Sequence, residues 1–359
     1  MNVFLETHNI KNLCSGLGQF NYHLIKGLYN LQEESPNFII NTTNSDKLKS
    51  EFGDFFDYNK YRSITRYPLF RVRKKVDLWH SMNQNTRIEP YNNLPYLNTI
   101  HDVNFMTETT GLDLKKRKLL FNKKLNRSNA IVYISEFAKK STHKYFQVPK
   151  NIPEYVIYNG NPIINVEEYN FENCKTKYNY DGSPFLFAIG QAFEKKNFHT
   201  LVQMMEFLKG TKLVIAGKNN TPYAKRIKDL IVKKNLTNRV FLLGEISEEE
   251  KYYYYHNCQA FVFPSLLEGF GIPPIEAMSF GKPVFLSKKT SLPEIGGEHA
   301  FYWDNFDPEY MADTIIEGLN VFDQNKTFIT NKLKERARGF CWNKAAKEYL
   351  TVYNTILNK

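Results

Sequence analysis

Cysteine is scarce and scattered: Cys14, Cys174, Cys258 and Cys341 form no C-x-x-C pair. A disulfide framework is therefore not expected, and free thiols in a reducing cytoplasm are the simplest reading. Long apolar runs are missing too. None approaches the roughly 18 residues of a spanning helix, and the opening "MNVFLETHNI" lacks the basic and apolar regions of a signal peptide. The expectation is a cytoplasmic chain that does not span a membrane. The sequence also has no Asp-x-Asp, no His-Glu-x-x-His, no Cys/His cluster and no Gly-x-Ser-x-Gly elbow. A divalent metal has no evident home, and nothing points to Ser-His-Asp hydrolysis.

What is present suits globular cores. The chain has 359 residues, 42% of them apolar, which suggests two domains at roughly 100–200 residues each. The 28 Phe and 23 Tyr mostly mean large core side chains, although base or sugar stacking is open to them. The net charge of +11 is unevenly spread. Residues 1–160 hold 23 Lys and Arg against 14 Asp and Glu, an excess of nine; residues 161–359 hold 25 against 23, an excess of two. The surplus lies in "RSITRYPLFRVRKK" (62–75) and "LDLKKRKLLFNKKLNR" (112–127), the second a basic helix with Leu112, Leu119 and Leu120 among its lysines. Such a surface attracts anionic lipid or nucleic acid, or is simply a solvated helix face.

Short apolar runs alternate with helical patterns, which predicts parallel sheets with crossover helices. The first half offers strands at 2–7, 37–42, 77–81, 97–102, 130–135 and 154–159. The second offers 185–190, 212–217, 240–244, 260–265 and 283–287. Between them lies a polar, turn-rich segment, "GNPIINVEEYNFENCKTKYNYDGSP", read as a linker. Two α/β units in tandem follow, with ligands expected at the carboxyl ends of the strands. Ser247 and Glu250 form a capping box ahead of "KYYYYHNCQAF", so a helix starts there. Alternating buried and exposed positions explain the Tyr252–Tyr255 run better than a stacking platform does.

The densest chemistry sits in "LLEGFGIPPIEAMSFGKP" (266–283), after the strand ending in "FPS". Glu268 and Glu276 could be an acid/base pair, a metal clamp or two hydroxyl-binding arms. Gly269 and Gly271 let backbone N–H groups come close to an anion or a sugar. Pro273 and Pro274 suit the first turn of a helix, which places Glu276 in that turn and Glu268 on the loop before it. A carboxylate beside free helix N–H groups stays ionised, which disfavours the acid/base pair and favours acceptors for hydroxyl groups. Taken alone, Glu276 would read as a residue complementing the helix dipole.

The surrounding stretch 244–297 closely resembles the donor-binding region of the retaining glycosyltransferases of family 4, a large GT-B group. Their pattern E-G-F-G-x-P-x-x-E after an "AFVFPS" strand is matched here at every fixed position. The resemblance implies Glu268 on donor-sugar hydroxyls, Glu276 on the nucleoside ribose, and backbone N–H groups near Gly269, Phe270, Gly271 and Ile272 along the sugar and diphosphate. "FAIGQAFEKKNFHTLV" resembles the family's strand–Gly loop, which implies Gly190 beside the donor and Lys196 on the diphosphate. Many relatives carry an arginine where this chain has Gln191; Lys195 is the alternative second cation. "FLLGEIS" resembles the base-binding strand end, with the backbone near Glu245 and Ile246 meeting the nucleobase.

In the first half, "CSGLGQFNYHLIKGL" resembles the glycine-rich loop facing phosphate and acceptor, with Gly16 and Gly18 allowing close approach. "TIHDVNFM" implies that His101 lies beside the reactive sugar. "FCWNKAAKEYLTVYNTIL" resembles the last helix, which crosses back to the first domain.

The implied fold is α/β GT-B: two Rossmann-like domains facing across a cleft. The domains expected are 1–165 for the acceptor, 166–340 for the nucleotide sugar, and 341–359 as the returning helix. The implied function is a retaining, metal-independent hexosyltransferase in cell-surface polysaccharide synthesis. It would use no cofactor, since the nucleotide-diphosphate sugar is a substrate. Glu268, Lys196 and His101 are the candidate catalytic residues. The expected partners are the donor and a glycan or lipid-linked acceptor, with peripheral contact to an anionic inner membrane face and no nucleic acid. Alternatives are a nucleotide-sugar epimerase or phosphorylase on the same fold, or a non-catalytic basic protein binding lipid or nucleic acid.

Overall fold

The structure is a computed structural model that describes residues 1–32, 36–163, 166–169, 171, 174, 176–178 and 181–358. The chain forms two compact units: Met1–Pro162 with Phe340–Lys359, and Ile163–Gly339.

The first unit holds a seven-stranded sheet. Its strands are β1 (Asn2–Leu5), β2 (Asn37–Thr42), β3 (Phe56–Lys60), β4 (Leu78–Ser81), β5 (Tyr96–Ile100), β6 (Ala130–Tyr133) and β7 (Glu154–Val156). They are parallel throughout, in the order β3-β2-β1-β4-β5-β6-β7. Helices cover both faces of such a sheet, so its central strands are buried on both sides and read as near-continuous apolar runs. Phe4 on β1 stacks on Trp79 on β4 with ring centres 4.2 Å apart, where the strand order reverses. The terminal helix Trp342–Leu357 packs on helix Gly16–Leu31. Gly27 permits this: a Cβ there would stand 2.8 Å from the Trp342 carbonyl oxygen and 2.9 Å from Ala346 Cβ. Tyr353 and Tyr349 then bond His80 at 2.9 Å and Thr99 at 3.0 Å. The expected return of the last helix to the first domain is found.

The second unit holds six parallel strands: β8 (Phe185–Ile189), β9 (Lys212–Ala216), β10 (Val240–Gly244), β11 (Ala260–Phe263), β12 (Val284–Ser287) and β13 (Phe301–Trp303). Their order is β10-β9-β8-β11-β12-β13, and the reversal falls between β8 and β11. Open α/β sheets bind ligands beyond the strand ends at that point.

All eleven expected strands are present. Two more, β3 and β13, were not anticipated, and both are edges. "FDYNK" mixes charge into a half-exposed strand, and β13 has only three residues, of which Trp303 alone is buried. Part of the expected linker, residues 164–165, 170, 172–173, 175 and 179–180, lies outside the described residues. Beyond them, Tyr178 is buried, and its N–H donates to the Tyr254 hydroxyl at 3.0 Å.

Candidate active site

Of the candidate donor residues, Gly190, Lys195, Lys196, Glu268 and residues 269–272 lie on the loops after β8 and β11, at the sheet's reversal. β8 ends at Ile189 and the chain turns at Gly190, whose N–H still donates to the Ala216 carbonyl at 3.0 Å. Gly217, at the end of neighbouring β9, has φ +113, and a Cβ on it would stand 2.2 Å from the Gly190 oxygen. Two bare backbones touch there, so neither loop can be moved independently. The loop continues into a short 3₁₀ turn, Glu194–Lys196, closed by Asn197 in the left-handed region. The Lys196 stem lies over Gly190, within 3.4 Å of where a Cβ would be.

The loop after β11 is tied to this one. The Leu266 N–H and the Ser265 hydroxyl both donate to the Lys195 carbonyl, at 2.7 and 3.1 Å. The Glu268 N–H donates to the Thr290 hydroxyl at 3.2 Å, and the Ser291 hydroxyl donates to the Phe270 carbonyl at 2.6 Å. Held in this way, Glu268 Oε1 receives the Lys196 ammonium in a direct ion pair. The ammonium also stands 4.9 Å from the centre of the Phe263 ring. Both side chains keep 15% of their surface in water, so the pair is reachable from solvent.

Gly271 follows at φ +116 and caps helix Ile272–Ser279. It has no side chain to cap the helix, and because Pro273 and Pro274 carry no N–H, the opening donors for an anion are the Gly271 and Ile272 N–H groups. Pro273 and Pro274 sit in the first turn, as expected. The placement of Glu276 needs correction. The helix begins at Ile272, one residue earlier than the prolines suggested, so Glu276 is its fifth residue, past the first turn. Its charge is met by side chains: Lys251 Nζ lies 2.9 Å from Oε1, and the Tyr255 hydroxyl donates to Oε2 at 2.8 Å. Burial, with Glu276 alongside, pushes the Tyr255 phenol well above its ordinary range, so it remains a donor.

Lys251 and Tyr255 were missed in the sequence. They stand four apart on one face of helix Glu248–Asn257, and that spacing was the available signal. The Ser247–Glu250 capping box is formed as expected. Tyr252, Tyr254 and Tyr255 are buried while Tyr253 is half-buried, so the run packs rather than forming a platform. Half-buried Ile246 sits between the end of β10 and this helix.

Gly16, Gly18 and His101 belong to the first unit. Gly16 opens helix Gly16–Leu31, and the space where its Cβ would lie is empty. Gly18 differs from the expectation: a Cβ would stand 1.9 Å from the Asn12 carbonyl oxygen, so its bareness serves the chain's own loop rather than a ligand. Ser15 caps this helix by accepting from the Gly18 N–H at 3.1 Å. His101 lies just beyond β5, buried, with Nε2 bonded to the Met82 carbonyl at 2.9 Å and its ring edge-on to Phe20. Burial lowers its pKa to about 4 against the opposing pull of the Met82 bond, so the ring is neutral near pH 7 and Nε2 is the donor.

Among the described residues, no three or more His, Cys, Asp or Glu are grouped to hold a metal ion, and no helix is long and apolar enough to cross a membrane.

Comparison with known proteins adds to this geometry. Residues 171–335 match the family model described as glycosyl transferases group 1. The chain is 26% identical to the O-antigen chain mannosyltransferase RfbU of Salmonella typhimurium, with 84% of each chain covered. It is 23% identical to the O-antigen chain mannosyltransferase B of Escherichia coli, over 99% of this chain and 100% of that protein. Among solved structures, Anabaena Alr3699/HepE in complex with UDP and glucose shares the fold, with a TM-score of 0.72 at 15% identity over 98% of this chain and 100% of that one.

Proposed function

Because residues 171–335 match the group 1 glycosyltransferase model and the chain has the GT-B fold, we propose that it moves a hexose, with retention of configuration, from a nucleotide-diphosphate sugar to a hydroxyl of a glycan or lipid-linked glycan. The observation that carries this reading is the Lys196–Glu268 ion pair, set by two interlocked loops at the sheet's reversal. The names of the two O-antigen mannosyltransferases support mannose as the sugar and a cell-surface polysaccharide as the product.

In the free protein the two side chains neutralise each other. The arriving diphosphate takes the Lys196 ammonium, and the released Glu268 carboxylate accepts hydrogen bonds from sugar hydroxyls. The Gly271 and Ile272 N–H groups, at the opening of helix Ile272–Ser279, serve the same anion. Glu276, steadied by Lys251 and Tyr255, receives the ribose hydroxyls, and the backbone near Ile246 receives the base. The bond from the anomeric carbon to the diphosphate oxygen breaks as the acceptor oxygen bonds to the same face. The acceptor's proton passes to the departing phosphate oxygen, so no protein base is required. Lys196 stabilises the charge that develops on the diphosphate, and positioning supplies most of the remainder.

The test is transfer from a panel of nucleotide-diphosphate sugars to a lipid-linked glycan, read by mass spectrometry, with the product anomer assigned by NMR. One donor should be used, with its anomeric configuration kept and with turnover unchanged by EDTA. Isomerisation of the sugar nucleotide without acceptor would establish an epimerase instead.

A further inference from the structure

We propose that Thr290 and Ser291, on the loop after β12, are positioning residues for the donor: Thr290 aims the Glu268 carboxylate at the sugar, and Ser291 aims the Gly271 N–H at the diphosphate. The inference rests on the proposed transfer and adds a third loop to its site. β12 ends at Ser287, whose hydroxyl donates to the Ser265 carbonyl just beyond β11. The chain then runs against the loop that carries Glu268. Leu292, fully buried, packs at Gly271, where a Cβ would stand 2.9 Å from its Cδ2.

Thr290 sits at φ +55. A β-branched residue in the left-handed region is strained, and such strain persists only where the surroundings hold it. Glycine would take this backbone without strain, so the conformation does not account for a threonine here. Its hydroxyl does: it accepts the Glu268 N–H at 3.2 Å and fixes the backbone from which the carboxylate reaches Lys196. Ser291 is fully buried, and its hydroxyl donates to the Phe270 carbonyl at 2.6 Å, with the Glu268 carbonyl at 3.3 Å. Across a trans peptide the C=O and the next N–H point in opposite directions. Holding the Phe270 oxygen toward Ser291 therefore turns the Gly271 N–H away from the β12 loop. The two neighbours thus act on different parts of the donor, one through a side chain on the sugar and the other through a backbone N–H on the diphosphate.

The test separates these routes. Thr290→Val keeps the shape and loses the acceptor. It should lower kcat for transfer about tenfold, the cost of one hydrogen bond in the site, and leave affinity for a nucleoside diphosphate, which has no sugar, within about twofold. Ser291→Ala should weaken that affinity about fivefold to tenfold, measured by calorimetry with the tightest binder among ADP, CDP, GDP, UDP and dTDP. Thr290→Ser should restore turnover. Thr290→Gly relieves the backbone, so it should melt within about 4 °C of the wild type while losing kcat as the valine variant does. In a Glu268→Ala background, Thr290→Val should cost no more than about twofold further, because its route is already cut. Apart from activity, the Glu268 amide should exchange with deuterium about tenfold faster in Thr290→Val and at the wild-type rate in Thr290→Ser. A wild type that binds no nucleoside diphosphate would overturn the transfer reading and this inference with it. With an active wild type, parallel losses of kcat and affinity in both variants, full additivity with Glu268→Ala, or unchanged amide exchange would overturn this inference alone.

Discussion

The ammonium of Lys196 rests on Oε1 of Glu268, a residue 72 positions later in the chain. One comes from the loop after β8, the other from the loop after β11, and the strands between which the sheet order reverses hold both. Neither side chain is fully desolvated, so a polyphosphate can take the carboxylate's place without entering a sealed core. For the proposed transfer, Lys196→Ala and Glu268→Ala should each lower kcat by about 100-fold to 1,000-fold, the usual loss when one preorganised charge is removed. Lys196→Arg should recover part of the activity. Steady-state kinetics of the purified variants checks this, and wild-type turnover in both would exclude the pair from the chemistry.

Glu276 depends on Lys251 and Tyr255 for its orientation. Lys251→Ala should destabilise the second unit by about 1–3 kcal/mol, because a mostly buried carboxylate loses its cation while some solvent screening remains. It should also raise the donor KM more than it lowers kcat, since the ribose is remote from the bond that breaks. Tyr255→Phe, which loses one hydrogen bond, should cost about 1 kcal/mol. Adding Glu276→Ala to Lys251→Ala should recover stability but not KM. Urea denaturation and donor titrations read both effects.

Two histidines make the first unit acid-sensitive. Burial lowers the His80 pKa to about 3, with the neighbouring His101 acting in the same direction, and burial lowers His101 to about 4. Unfolded imidazole titrates near 6.5. Both folded values are depressed, so the stability they provide is complete above about pH 6.5 and is lost as pH falls toward 4 and 3. Between pH 7 and pH 5 the two together should cost about 3–4 kcal/mol. Urea transitions followed by tryptophan fluorescence at pH 5, 6 and 7 test this; equal midpoints would contradict it.

Gly217→Ala should be far more damaging than Gly182→Ala, although both positions have positive φ. A methyl on Gly217 meets the Gly190 backbone, whereas one on Gly182 meets nothing. The expected costs are about 3 kcal/mol or more against about 1 kcal/mol. Gly217→Ala should also reduce turnover, because Gly190 underlies Lys196. Thermal melts and activity of the two variants make the comparison.

The central strands were legible because burial on both faces writes continuous apolar runs, as in "FLFAI" and "AFVF". The edges β3 and β13 were not, because an edge strand keeps polar or short sequence and is defined by its neighbour. Glu268 and Lys196 were legible through motif resemblance, since fixed glycines and prolines set the backbone around them. Lys251 and Tyr255 were not, because their importance arises only when helix Glu248–Asn257 packs against helix Ile272–Ser279. The turn containing Glu276 was misplaced for a related reason: Gly271, at positive φ, starts the helix one residue before the prolines that appeared to mark its start.

The most direct test is calorimetric titration of nucleoside diphosphates into the wild-type chain and Lys196→Ala. The account predicts that one nucleoside diphosphate binds the wild type selectively and that the variant loses at least tenfold in affinity for it, as expected when a charge-assisted contact to phosphate is removed. An unchanged Kd, or no binding to any nucleoside diphosphate, would contradict it.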